Sequence, residues 1–415
     1  MKSRKAEEQN SSLTPNSTVV RIFISTGEVS GDLQGAMLIE ALKRQALLAG
    51  LELEIVALGG SRMASAGATL LGNTISIGSV GTLEALPFVL PTLKIQRDAK
   101  QYLLQHPPDL VVLIDYAVAN LSLGGYIRRQ MPKVPIVYFI APQMWVWWSN
   151  KRDTARIVEI TDKVLAIFPA EARYFKDKGA SVSWVGHPLV DRMQNSPSRE
   201  QARAALGITP EQTAIALFPA SRRQELKYLL PVMFEAAKVI QAKLPQVHFW
   251  IPLSLEIYRE PIEKAIAHYG LRATLLFEQT QEAIAAADLA ITKSGTVNLE
   301  IALLNVPQVV IYRVSSLTAW IARKLLKFSI EFMSPPNLVE MKPIVPELLQ
   351  EQATAENIVE NALELLLNPS RKEQTLADYQ QMQQALGEVG VCDRAAIEIL
   401  TLLPNYDRGH RKSED

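Results

Sequence analysis

Short apolar runs alternate with longer stretches in which apolar residues recur every three to four positions, and this alternation continues from residue 19 to about residue 400. Runs of the first kind predict buried strands and those of the second kind predict helices with one apolar face, the pattern of a parallel α/β protein. Val19–Ser25 predicts a strand, Gly27–Asp32 a turn and Leu33–Leu48 a helix. Leu51–Leu58 predicts a second strand, closed by Gly59-Gly60. Leu110–Ile114, Val134–Ile140, Lys163–Phe168 and Ser181–Val185 complete a first half. Strands without polar alternation are covered on both faces.

The pattern breaks near Asn195–Glu200, where Ser-Pro-Ser precedes a charged helix, and then restarts. Strand Ala214–Phe218, helix Gln224–Leu244 and strands Val247–Pro252, Ala273–Phe277, Asp288–Thr292 and Gln308–Tyr312 follow, with closing helices from about Glu356. The expected fold class is α/β, with two facing Rossmann-like domains over residues 19–195 and 196–400 and the active site in the cleft between them. One enlarged doubly wound domain is the alternative. Residues 1–18 and 401–415 are expected to be a disordered and a charged tail.

Composition narrows the function classes. Lys plus Arg and Asp plus Glu are each 43, so no basic surplus points to nucleic acid. A single cysteine, Cys392, excludes an intrachain disulfide and a Cys-based zinc site. The histidines at 106, 187, 248, 268 and 410 have no metal-binding spacing. Residues 1–17 are polar and lack the apolar core of a signal peptide. No stretch is apolar enough to cross a bilayer, since Ala85–Leu93 and Val134–Trp148 are both interrupted.

Three strand-to-helix turns offer chemistry. Gly27-Glu28-Val29-Ser30-Gly31-Asp32 sets glycines and two carboxylates at the mouth of a cleft, or is simply a tight turn with Asp32 as a helix cap. Pro219-Ala220-Ser221-Arg222-Arg223-Gln224-Glu225 holds the same place in the second half, where Ser221 and Arg222 suit a phosphate. Thr292-Lys293-Ser294-Gly295-Thr296-Val297-Asn298-Leu299-Glu300 adds small residues and a carboxylate, Glu300, able to accept from a ribose diol. Two anion-friendly loops in one domain fit a nucleoside diphosphate. With no D-x-D motif in the chain, the leaving diphosphate is expected to be neutralised by arginine and backbone amides.

These turns, with Pro108-Asp109, Ile114-Asp115, Pro142–Trp147, Gly186-His187-Pro188, Tyr312-Arg313, Pro336-Asn337-Leu338 and Val345–Glu351, resemble the lipid-A-disaccharide synthase family in order and spacing. The resemblance implies a glycosyltransferase of the B-type two-domain fold. The N-terminal domain would take the acceptor and the C-terminal domain the UDP-sugar, at Ser221, Arg222, Glu225, Ser294, Gly295, Thr296, Glu300 and Asn337. The donor would be UDP-2,3-diacylglucosamine and the acceptor 2,3-diacylglucosamine 1-phosphate. The acceptor 6-hydroxyl attacks the anomeric carbon, inverts it and releases UDP, with no cofactor. Acylated substrates imply a cytoplasmic enzyme on the surface of the inner membrane. Trp145, Trp147, Trp148 and the amphipathic, basic pattern of Leu317–Phe328 are candidates for the lipid-facing surface.

The chain departs from the family in three places. Ala220 stands for a usual glycine, Ser334-Pro335-Pro336-Asn337 for Ser-Leu-Pro-Asn, and Val118 for the aspartate favoured as general base. Asp115 is then the nearest replacement base, followed by Glu28, Asp32 and His187. A related UDP-sugar enzyme with another acceptor, or a UDP-sugar-binding protein without catalysis, are the competing readings. An NAD-dependent dehydrogenase is disfavoured because no GxGxxG opens either half.

Overall fold

A computed structural model describes residues 19–75, 86–143, 145–146, 151–221, 223–314, 332–404 and 406. Arg222, Trp147, Trp148, Leu317–Phe328, residues 1–18 and most of the charged tail lie outside them.

The apolar runs form two parallel sheets. The first orders its strands β3(Thr69–Asn73), β2(Glu52–Gly59), β1(Val19–Ser25), β4(Leu110–Ile114), β5(Ile136–Phe139), β6(Lys163–Ala166) and β7(Val182–Trp184). The second orders β10(Ala273–Leu276), β9(Val247–Pro252), β8(Thr213–Phe218), β11(Leu289–Lys293), β12(Gln308–Tyr312) and β13(Glu347–Leu349). Strand order reverses direction between β1 and β4 and again between β8 and β11. Each reversal opens a crevice at the carboxyl ends of its strands, where ligands of such sheets bind. The loops singled out by sequence follow β1 and β4 in one sheet and β8 and β11 in the other.

Three local differences have plain causes. The helix expected over Gln224–Leu244 is two, Arg223–Tyr228 and Leu230–Lys243, because Pro231 has no N–H to continue the first. Short strands β3 and β13 lack a long apolar run, so periodicity does not mark them. The last helix, Val391–Leu400, returns to the first domain instead of closing the second. It packs on helix Val29–Leu48, where Asp393 meets Arg44 at 3.1 Å, and its Glu398 pairs with Lys163 at the start of β6. Asp191 caps its start, accepting from the N–H groups of Gly390, Val391 and Cys392 at 2.7, 3.1 and 2.8 Å. Gly186, in the Gly186-His187-Pro188 motif, adopts φ +90°, and a Cβ there would stand 2.8 Å from the Leu386 carbonyl. That glycine lets the returning chain close against the first domain.

Candidate functional site

The first crevice is built around Asn120, a buried side chain in helix Ala117–Gln130. Its Nδ2 donates to the carbonyls of Asp115 at 2.8 Å, Ile114 at 3.1 Å and Ser25 at 3.2 Å, while its Oδ1 accepts from Ser25 Oγ at 2.7 Å. One amide thereby ties the end of β1 to the end of β4. Asp115 and Tyr116 both lie in the left-handed region, at φ 45° and 50°, and Ile140 beyond β5 joins them at φ 60°. Such conformations cost about 1–3 kcal/mol each and gather where a site over-determines its backbone. Here the Asp115 N–H donates to the Ile140 carbonyl at 3.0 Å, and the Asp115 carbonyl accepts from Tyr138 Oη at 2.8 Å. The Tyr116 ring covers Gly27 so closely that a Cβ would lie 2.4 Å from it, which explains a glycine there. Asp115 is partly exposed at this rim. Val118 is 87% exposed on the adjoining helix turn.

The other acid–base candidates fare differently. Glu28 is half-buried at the same rim, and its charge, with burial as the larger cause, raises the Tyr116 phenol. Asp32 is buried and braces the fold: its carboxylate accepts from the N–H groups of Gly60, Arg62 and Met63 at 2.8, 3.2 and 3.1 Å. It caps helix Ser61–Ser65, not its own helix, and three backbone amides engage its two oxygens. His187 is buried too, its Nδ1 accepting from the Leu189 N–H at 3.1 Å, and burial lowers its pKa to about 3. A neutral ring held this way is a brace rather than a base. Trp145, one of the expected lipid-facing residues, packs inward on Phe168 with centroids 5.9 Å apart, and Phe168 in turn meets His187.

Behind Asp115 lies a group that the sequence did not mark. Glu171 is fully buried at the start of helix Pro169–Asp177, and its Oε2 accepts from Ile167 N–H at 2.8 Å. Burial raises its pKa to about 8; the amides of Ile167, Phe168 and Ala141 pull it down, and the Asp115 charge pushes it up. Burial thus favours the protonated form of this carboxyl.

The second crevice repeats the construction. Asn298 accepts from the Gly295 N–H at 2.7 Å and donates to the Lys293 carbonyl at 3.1 Å. The spacing is the same five residues that separate Asn120 from Asp115. Ser294, Gly295 and Thr296 line this loop, half-exposed, with Ser294 Oγ donating to the Met333 carbonyl at 2.8 Å. Across from them Glu225 accepts from the Ser221 N–H at 2.5 Å, so it shapes the Ser221 loop instead of meeting a phosphate with its own negative charge. Asn337 is also turned inward. Its amide donates to the Val345 carbonyl at 2.9 Å and to Glu347 Oε1 at 2.7 Å, and accepts from the Val345 N–H at 2.8 Å. The expectation that it faces a diphosphate gives way to a role in fastening helix Pro335–Glu340, which Pro335 and Pro336 begin.

The two halves meet at Glu300. Its carboxyl is buried, raised by that burial, and stands 3.8 Å from Arg192 Nη1, with the Arg62 charge also acting on it. Arg62 sits on the short helix that Asp32 caps. Ser221, Ser294, Gly295, Thr296 and Glu300 thus share the second crevice, while Asp115 and Glu28 share the first. Asn120, Asn298, Lys293, Arg62 and Arg192 were missed. The available signals were an asparagine six residues beyond the end of β4 and five beyond the end of β11, and a lysine ending an apolar strand. Among the described residues no group of three His, Cys, Asp or Glu side chains is placed to hold a metal ion.

Comparison with known proteins gives the family. A family model described as lipid-A-disaccharide synthetase matches residues 22–400. The lipid-A-disaccharide synthase of Gloeothece citriformis is 64% identical over 381 residues, spanning 92% of this chain and 99% of that protein. That of a Synechocystis species is 55% identical over 396 residues, spanning 95% and 100%. Among solved structures, Staphylococcus aureus MnaA with UDP superposes with a TM-score of 0.64 at 16% identity, covering 94% of this chain and 99% of that one. A likeness at that identity carries the fold: two facing Rossmann-like domains of the glycosyltransferase B type.

Proposed function

We propose a specific reaction for this chain, which belongs to the lipid-A-disaccharide synthase family and is a hexosyltransferase that uses a UDP-sugar donor and a sugar acceptor. The donor is UDP-2,3-diacylglucosamine and the acceptor is 2,3-diacylglucosamine 1-phosphate. The acceptor 6-hydroxyl loses its proton to Asp115, its oxygen bonds to the donor's anomeric carbon with inversion, and the bond to UDP breaks with its electron pair leaving on the diphosphate. UDP lies in the second crevice, with Ser221, Arg222, Ser294, Gly295 and Thr296 around the diphosphate and Glu300 on the ribose. The acceptor lies in the first.

The observation that carries this reading is the pairing of two like crevices, one presenting the carboxylate of Asp115 and the other a set of small residues, amides and cations. A base and a leaving-group site on opposite walls are what an inverting transfer needs. Acylated substrates place the enzyme at the cytoplasmic surface of the inner membrane, with Leu317–Phe328 as the lipid-contacting segment. No described helix is long and apolar enough to cross a membrane. The test is release of UDP from purified protein given the diacyl donor, with and without the 1-phosphate acceptor. Release that does not depend on the acceptor overturns the assignment. One observation favours a second reading, a UDP-sugar protein with another acceptor: Val118 has no proton-accepting atom.

A further inference from the structure

We propose that Glu171 is a positioning residue for the transfer, holding the ends of β5 and β6 so that Asp115 presents its carboxylate to the acceptor. The inference rests on the reading of Asp115 as the base. A glutamate in the first turn of a helix can reach back to cap that turn. Glu171 does this from inside the protein, where it is 1% exposed, and a carboxyl is costly to bury unless its charge or its hydrogen bonds are provided for. Its Oε2 accepts from the Ile167 N–H at 2.8 Å and the Phe168 N–H at 3.3 Å, both just past β6. The amide of Ala141, just past β5, also acts on the carboxyl.

From there the backbone leads to the base. The Leu165 carbonyl, two residues before Ile167, accepts from the Ile140 N–H at 3.3 Å, and the Ile140 carbonyl accepts from the Asp115 N–H at 3.0 Å. Ile140 and Asp115 are both left-handed, at φ 60° and 45°, and for a β-branched residue such as Ile140 that conformation is strongly disfavoured unless its surroundings impose it. β4 lies between β1 and β5, so Asp115 is held from the β1 side by Asn120 and from the β6 side by the chain of contacts that ends on Glu171. The two carboxyls also oppose one another. Each disfavours charge on the other, and burial puts the proton on Glu171, which leaves the negative charge to Asp115 at the rim.

UDP-release kinetics and UDP calorimetry on the full chain test this, with turnover expressed per UDP-binding site. Glu171→Leu removes the acceptor for the Ile167 and Phe168 amides, and its turnover is expected to fall about 10- to 100-fold, the effect of a misplaced reacting group. Its UDP affinity should hold. Glu171→Gln keeps a neutral oxygen for the same amides and should turn over close to the wild-type rate. In an Asp115→Asn background Glu171→Leu should add little, because both changes act on one group. Wild-type turnover in Glu171→Leu overturns the proposal, and so does a Glu171→Gln as slow as Glu171→Leu. Loss by the same factor in both backgrounds also overturns it, as general damage to the domain. If Glu171→Leu binds no UDP, Glu171→Asp, which shortens the reach by one methylene, takes its place under the same expectations. Full turnover in Asp115→Asn is a different failure: it removes the base itself, and with it any residue acting through it.

Discussion

Asn120 Nδ2 donates to the Asp115 carbonyl at 2.8 Å, and through that bond a residue inside a helix holds the rim of a crevice in a left-handed conformation. The same amide reaches Ser25 and Ile114, so the strand reversal and the candidate base depend on one side chain. Asn120→Ala is expected to cost about 2–4 kcal/mol of stability, since it leaves several buried partners unsatisfied. Turnover should drop further than the stability loss explains, while UDP affinity, set in the other domain, holds. Chemical unfolding, calorimetry with UDP and a UDP-release assay on the same preparation measure all three. Loss of UDP affinity equal to the loss of turnover would argue against a local effect.

Much of the fold was legible because long apolar runs specify parallel strands whatever surrounds them. Gln308–Tyr312 was read to the residue, and the crevice loops were found by their glycines and hydroxyls. What could not be read was where side chains spend their hydrogen bonds. Asp32 and Asn337 look like site residues in sequence because they stand beside glycines and prolines in the right turns. Asp32 is taken up by backbone N–H groups, and Asn337 by the Val345 backbone and the Glu347 carboxylate. Asn120 and Asn298 look unremarked in sequence, yet each organises a crevice. The return of helix Val391–Leu400 to the first domain depends on Asp191, two hundred residues away, and no local pattern carries that.

Glu300→Gln is expected to weaken UDP binding by about 1.5–3 kcal/mol, the cost of losing a hydrogen bond to a charged group. Glu300 lies 3.8 Å from Arg192 in the present arrangement, so Arg192→Ala serves as a control for damage to that pair. Weaker binding in Glu300→Gln but not in Arg192→Ala supports a direct ribose contact. Unchanged binding in both removes Glu300 from the UDP site.

Glu171 predicts a pH dependence of stability. Its proton is held to about pH 8 in the folded chain against an ordinary value of 4.5, with the Asp115 charge facing it and Tyr138 Oη bound to the Asp115 carbonyl. The folded state therefore binds the proton more tightly than the unfolded one. This contribution is complete below about pH 4.5 and is lost as the pH rises through about 8. His187 acts in the opposite sense, its contribution being present above 6.5 and lost as the pH falls through about 3. Glu171→Gln should abolish only the alkaline loss, which is on the order of 3–5 kcal/mol for a shift of this size. Urea unfolding at pH 5.5 and pH 9 is the comparison, and an equal fall in both proteins would remove Glu171 as its source.

The segment Leu317–Phe328 carries Trp320, Leu325 and Leu326 among Arg323, Lys324 and Lys327. If it meets lipid, Trp320→Ser combined with Lys324→Glu removes apolar insertion and reverses one attraction to anionic headgroups. The double variant should move from liposomes containing phosphatidylglycerol into the supernatant while keeping its affinity for UDP. Equal sedimentation of the variant and the wild type would leave the segment without a membrane role.

The last prediction concerns the base, where family pattern and geometry separate. A sugar hydroxyl is a poor nucleophile at neutral pH, and a positioned proton acceptor contributes ~10²–10⁴-fold in rate. Val118 cannot supply one. Its position is nevertheless suitable, on the first turn after β4 and 87% exposed at the crevice. Asp115 is three residues away and partly exposed, with a backbone fixed by Ile140, Tyr138 and Asn120. Asp32 and His187 are withdrawn from the competition by the amides they hold, and Glu28 remains as the second carboxylate at the rim. Asp115→Asn is therefore expected to lower turnover by about 10²-fold or more with little change in UDP affinity. Val118→Asp is expected to raise turnover, because it adds a carboxylate on the exposed side of the same turn. Asp115→Asn/Val118→Asp then tells whether the two sites substitute for one another: recovery toward the wild-type rate means that one proton acceptor at either place suffices. Full activity in Asp115→Asn, together with no gain in Val118→Asp, would pass the role to Glu28, and Glu28→Gln is the variant that decides it.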